Sequence, residues 1–198
     1  MRKKYTEIKM RSKKTTDKET KKLTVPVNIG SDHIRGSINA PIVVVEYGDY
    51  ECPYTGMAYP IVKNIMRHMD DKIYFVFRNF PLNDIHPHAQ HASEAAEAAV
   101  AQDKFWEMHD YLFEHQKALD DSHLLEHAQK VGLDIDRFKK EMSGHIYAPL
   151  INISLKNGID SGVEGTPTFF VNGVRYEGSW DLHTFSNVLK KNLLRKTW

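Results

Sequence analysis

Between Ile42 and Tyr47 the chain is almost continuously β-branched or aromatic, the pattern of a strand covered on both faces. A second run, Ile-Tyr-Phe-Val-Phe-Arg-Asn-Phe over residues 73–80, has the same character and stops at Pro81. Between them Met57, Ile61, Ile65 and Met69 recur at a spacing of four, which predicts a helix. Pro53 suits its first position, where a missing N–H costs nothing, and Pro60 is expected to kink or restart it. The sum is a β–α–β unit long enough for a right-handed parallel crossover.

The pattern then changes period. Ala92, Ala95, Ala96, Ala99 and Val100 mark one small-residue face of a helix over His88–Gln102, opened by Pro87. Phe105, Trp106, His109, Leu112 and Phe113 stripe the next helix, with Asp103 as its expected N-cap. Shorter helical pieces follow near Ser122–Val131 and Ile135–Met142, and another around His145–Asn157. Strand pattern returns at Thr168–Val171 and Val174–Tyr176, joined by Asn172-Gly173, a pair suited to a type I′ hairpin turn. Asp181 is placed to cap a last helix faced by Leu182, Phe185, Val188 and Leu189.

These elements predict an α/β fold whose small sheet carries an inserted all-helical subdomain, because about 80 helical residues are too many for a crossover loop. The expected division is a basic tail over 1–24, a sheet domain over 25–84 and 158–198, and the helical insertion over 85–157. Residues 25–41, punctuated by Pro26, Gly30, Gly36 and Pro41, form a lead-in with one edge strand at most.

Composition adds three points. The formal charge of +1 conceals an asymmetry: residues 1–24 hold ten of the 27 Lys/Arg and three of the 26 Asp/Glu. The tail, including Lys21 and Lys22, is thus expected to be solvated, with no specific nucleic-acid partner. No run approaches the roughly 18–20 apolar residues of a membrane span. Basic residues without an apolar stretch behind them argue against a secretory leader, and one cysteine cannot close an internal disulfide. A cytoplasmic location is expected.

That cysteine, Cys52, stands where the first long strand ends and Pro53 opens a helix. There it would meet unpaired backbone N–H groups and the positive end of the helix dipole, which favour the reactive thiolate. The flanking Asp49 and Glu51 are expected to be solvated and to oppose that effect. Glu46 either points outward to pair with a lysine or is buried, in which case desolvation makes it a proton acceptor. His86, His88, His91, His109 and His115 read as polar residues of helices, and no metal site is expected. Phe80-Pro81-Leu82 and the Tyr54, Met57, Tyr59 group either edge a client groove or pack.

The Cys52-Pro53-Tyr54-Thr55 loop after the first long strand, together with Gly165-Thr166-Pro167-Thr168 before the hairpin, resembles the thioredoxin superfamily, and the helical insertion resembles its DsbA-like branch of thiol–disulfide oxidoreductases. The resemblance runs from about Asp32 to the C-terminus. It implies that Cys52 is the nucleophile, that Pro53 and Tyr54 tune it, and that Thr166 and a cis Pro167 face it and bind substrate backbone. It also implies that Glu46 is a buried acid beneath the site. Thr55 departs from the pattern, standing where dithiol members have their second cysteine. A mixed disulfide on Cys52 must then be resolved from outside, by glutathione as co-substrate or by the thiol of a partner protein. Cys-Pro-Tyr-X is also similar to the glutaredoxin site, and Thr55 is expected to donate its hydroxyl to the Cys52 sulfur. Two other readings stay open: a glutathione-dependent transferase or isomerase similar to the kappa class, and a non-catalytic thioredoxin-fold binding module. No bound cofactor is expected.

Overall fold

The computed structural model describes residues 21–69 and 71–195. Five strands form one sheet in the order β1-β3-β2-β4-β5: β1 (His33–Gly36), β2 (Ile42–Gly48), β3 (Ile73–Asn79), β4 (Thr168–Val171) and β5 (Val174–Arg175). β2 and β3 run parallel, joined through helix α1 (Pro53–His68). β1 lies antiparallel on the outer edge of β3, and β4 antiparallel on the other side of β2. The period-two alternation of β2 divides the core. Val44 shares one cluster with Phe75, Phe77, Phe169 and α1, whereas Val45 and Tyr47 share another with Val76, Phe80 and Phe170. With helices on both faces, both sets of side chains are buried, which accounts for the unbroken apolar runs.

α1 is continuous through Pro60. The helix does not restart there: an interior proline costs about 3 kcal/mol, whereas burying Val62, Ile65 and Met66 recovers about 1.5–3 kcal/mol for each side chain. Its buried face is Thr55, Ala58, Val62, Ile65 and Met66, rotated from the expected one, and Met57 is 59% exposed.

Helices α2 (Ala89–Val100), α3 (Phe105–Glu114), α4 (Asp121–Lys130), α5 (Ile135–Ser143) and α6 (Ala148–Asp160) lie between β3 and β4. Ala92, Ala95, Ala96 and Ala99 of α2 are fully buried, but Val100 emerges from the core. The cap expected from Asp103 fails. Asp103 has φ of +56° and the N-cap position falls on Lys104, without a side-chain cap. α4 and α5 are capped instead by Asp120 and Asp134, whose carboxylates accept from Ser122, His123 and Arg137 backbone N–H groups.

The hairpin turn has Asn172 and Gly173 both at positive φ, as a type I′ turn requires. α7 (Leu182–Arg195) is capped by Asp181, which accepts from Thr184 N at 2.9 Å, and buries Phe185 and Leu189, whereas Leu182 is exposed. The tail expected to be solvated through residue 24 is not so at its end. Lys22 bridges antiparallel to Val174, Leu23 packs into the second cluster, and Lys21 pairs with Glu164 at 2.6 Å. These residues add backbone partners to the short edge strand β5, and the rest of the tail lies outside the described residues.

Candidate active site

β2 ends at Gly48, and four residues later Cys52 is the N-cap residue of α1. Asp49 organises the turn. It is fully buried, contrary to expectation, and accepts from Glu51 N at 2.8 Å, Leu82 N at 2.8 Å and His86 Nδ1 at 2.7 Å. A carboxylate with that many donors is stable away from water, which its position beside a loop glycine did not reveal. Glu51 is half-buried and accepts from His88 N at 2.6 Å, tying the loop to the start of α2.

Cys52 Sγ donates to the carbonyl oxygen of Thr166 at 3.3 Å, bringing together residues 114 apart in sequence. The Thr166–Pro167 peptide bond is cis. Cys52 itself is 3% exposed, while Pro53 and Tyr54 beside it are exposed, Tyr54 to 63%. Thr166 is buried and its hydroxyl oxygen has no hydrogen-bond partner. Thr55 is buried too, but its Oγ1 accepts from Asp49 N at 3.5 Å and packs beneath Gly48. It faces inward, so the expected hydrogen bond from Thr55 to the sulfur is not made.

Glu46 lies on the α1 side of the sheet, paired in register with Phe77 and Phe169, and is 3% exposed. The outward reading is excluded. Burial raises its carboxyl pKa from 4.5 to about 8, and a small cavity beside it is also lined by Arg35, Lys63 and His109. Tyr50 is fully buried, its hydroxyl donating or accepting at His109 Nδ1 over 3.1 Å.

One contributor was not foreseen. Gln116, two residues past α3, sends Nε2 to the carbonyl oxygens of Tyr50 at 2.7 Å and Cys52 at 3.1 Å. Its Oε1 lies 1.8 Å from where a Cβ on Gly56 would stand, so glycine at that position makes room for the contact. No local pattern marks Gln116, because the contact joins the helical insertion to a loop more than sixty residues earlier. A cavity of about 640 Å³ lies elsewhere, between residues 25–33, the end of β3 and α6, and does not include Cys52.

A family profile described as Thioredoxin matches residues 28–191. The chain belongs to the thioredoxin family. Among solved structures, oxidised BdbD from Bacillus subtilis superposes on this thioredoxin-family chain with a TM-score of 0.75 at 22% identity, covering 84% of this chain and 95% of that one. The thiol-disulfide exchange protein alpha-DsbA2 from Wolbachia pipientis gives 0.70 at 22% identity, covering 81% and 86%. The α/β fold is therefore thioredoxin-like and of the DsbA type, with its helical insertion. In sequence the chain is 47% identical over 164 residues to the Na(+)/H(+) antiporter NhaA 1 of Salinispora arenicola, and 45% identical over 164 residues to NhaA 3 of Salinispora tropica. Each match covers 83% of this chain, which spans about a quarter of the length of these curated relatives. Among the described residues, no helix is long and apolar enough to cross a membrane.

Proposed function

We propose that this chain is a monothiol enzyme of thiol–disulfide exchange. The observation that carries the reading is Cys52 Sγ at the mouth of α1, hydrogen-bonded to the carbonyl of Thr166 across from Pro167. The Cys52 thiolate attacks one sulfur of a client disulfide, forming a new S–S bond and releasing the other sulfur as a thiolate. The proton leaving Cys52 goes to solvent near neutral pH, where buried Glu46 already holds its own proton, and to the Glu46 carboxylate only as pH rises through about 8. A second thiolate, from glutathione or a partner protein, then attacks the mixed disulfide and restores Cys52. Thr55 offers no second sulfur, so it serves the loop by packing. Client backbone is held by the Thr166–Pro167 segment, with Pro53 and Tyr54 forming the exposed rim.

Turnover of a glutathionylated peptide with glutathione, coupled to glutathione reductase, tests this. The parent is expected to accelerate the reaction at least about 100-fold over Cys52→Ala, which corresponds to about 2.7 kcal/mol of barrier. Equal rates would remove the proposal.

The 3% exposure of Cys52 favours a second reading, a thioredoxin-fold module that binds partners without chemistry. Alkylation by iodoacetamide separates the two. A native Cys52 that reacts as fast as a free thiolate of the same pH supports the enzyme. One that reacts only after denaturation supports the module.

A further inference from the structure

Among the described residues, three potential metal ligands meet at one place outside the cysteine site: His91, Glu94 and His145, with one donor atom from each lying within 4.8 Å of the others. We propose that these residues bind a divalent cation of the zinc class and thereby clamp α2 to the turn between α5 and α6.

His91 and Glu94 are three residues apart on α2, so one helical face presents both. His145 arrives from the turn that precedes α6. His145 Nδ1 and Glu94 Oε2 are 3.2 Å apart, close to the edge of a tetrahedron built with zinc–ligand bonds of about 2.0–2.1 Å. The surroundings orient the donors. His91 Nδ1 is 2.6 Å from Asp121 Oδ1, so an N–H donated there leaves Nε2 with its lone pair free for a metal, the usual carboxylate–histidine arrangement around zinc. Gln90 Nε2 donates to Glu94 Oε1 at 2.9 Å and thereby orients the carboxylate whose other oxygen faces His145. Glu94 is 1% exposed, and a buried carboxylate that has, among the described residues, an amide and an imidazole as its hydrogen-bond partners gains from a cation. The two imidazole rings are 5.2 Å apart and line a cavity of about 260 Å³ with Asp121 and Met142, which leaves room for a fourth, exogenous ligand. Two imidazoles and a carboxylate suit zinc and its neighbours over calcium or magnesium, which prefer an all-oxygen shell. The neighbouring histidines do not join. His86 is held by Asp49 and His109 by Tyr50.

The test is a Zn²⁺ titration of the untagged, metal-free chain in competition with a chromophoric chelator. One equivalent is expected to bind with Kd of about 10 µM or tighter. His91→Ala and His145→Ala should each weaken this by at least about tenfold, and Asp121→Asn by about 10–100-fold through the orienting hydrogen bond. Cys52→Ala should bind as the parent does, which distinguishes this site from a thiolate site. Because His145 is exposed by 55%, its alanine variant keeps the fold, checked by an unchanged Tm without metal. Zn²⁺ should raise the Tm of the parent and of Cys52→Ala, but not of His145→Ala. Parent affinity weaker than about 10 µM, a loss below tenfold in both histidine variants, or binding abolished by Cys52→Ala would each overturn the proposal.

Discussion

Glu46 is a strand residue by pattern and a buried acid by position, and its environment makes it a sensor of pH. The folded chain holds its proton up to about pH 8, whereas the unfolded chain releases it near 4.5. Between those values the native state binds the proton more tightly, so the stability it contributes is complete below pH 4.5 and is lost as pH rises through 8. Glu46→Gln should flatten this decline. Near pH 8.5 the variant is expected to be more stable than the parent by at least about 1 kcal/mol, out of the ~5 kcal/mol that the full shift represents, with the difference vanishing below pH 5; urea denaturation across pH checks it. Asp49 shows the opposite economy, a buried carboxylate saturated with donors. Asp49→Ala strands the N–H groups of Glu51 and Leu82 and should cost about 2–4 kcal/mol, read as a lower urea midpoint at unchanged m. The difference between these two acids was not visible in their neighbours along the chain. Glu46 was left open between two readings and Asp49 was expected to be solvated, because burial depends on what packs over a residue and not on its own polarity.

At the scale of elements, the joint between the helical insertion and the cysteine loop is made by a glutamine and a glycine. Gln116 bonds two carbonyls of the loop, and Gly56 in the first turn of α1 leaves space for it. Gly56→Ala must displace that amide and should destabilise by about 1–2 kcal/mol, as should Gln116→Ala. In the double variant the cost should fall short of the sum, because the alanine methyl then meets no amide; thermal or urea unfolding of the four proteins measures the coupling. Helix boundaries were legible where a periodic apolar face coincided with a capping residue, as for Asp181 and α7. They were less legible where packing overrode local preference. Pro60 failed to break α1, and Asp103 lost the cap position to a turn at positive φ.

For the molecule as a whole, a single thiol has one kinetic consequence. A chain with one cysteine cannot expel a bound thiol by internal attack. Release of glutathione from a preformed Cys52 mixed disulfide should therefore be first order in external thiol and extrapolate to zero without it, as intact-mass spectrometry over time can follow. A finite rate at zero thiol would require a nucleophile this chain lacks. What the sequence determined alone was whatever acts over a few residues or repeats with a period: the two core strands, the alanine face of α2, the hairpin turn, the proline-opened helix behind Cys52 and the α/β class that follows. What the tertiary structure decided was every relation between distant segments. It set Cys52 against Thr166, buried Asp49 under the loop that begins at Leu82, brought Gln116 to the carbonyls of the cysteine turn, and gathered His91, Glu94 and His145 from separate elements. The reason is physical. Propensity and amphipathic period are properties of a local stretch, whereas the depth of a side chain and the identity of its hydrogen-bond partner are set by the packing of elements that the chain brings together only on folding.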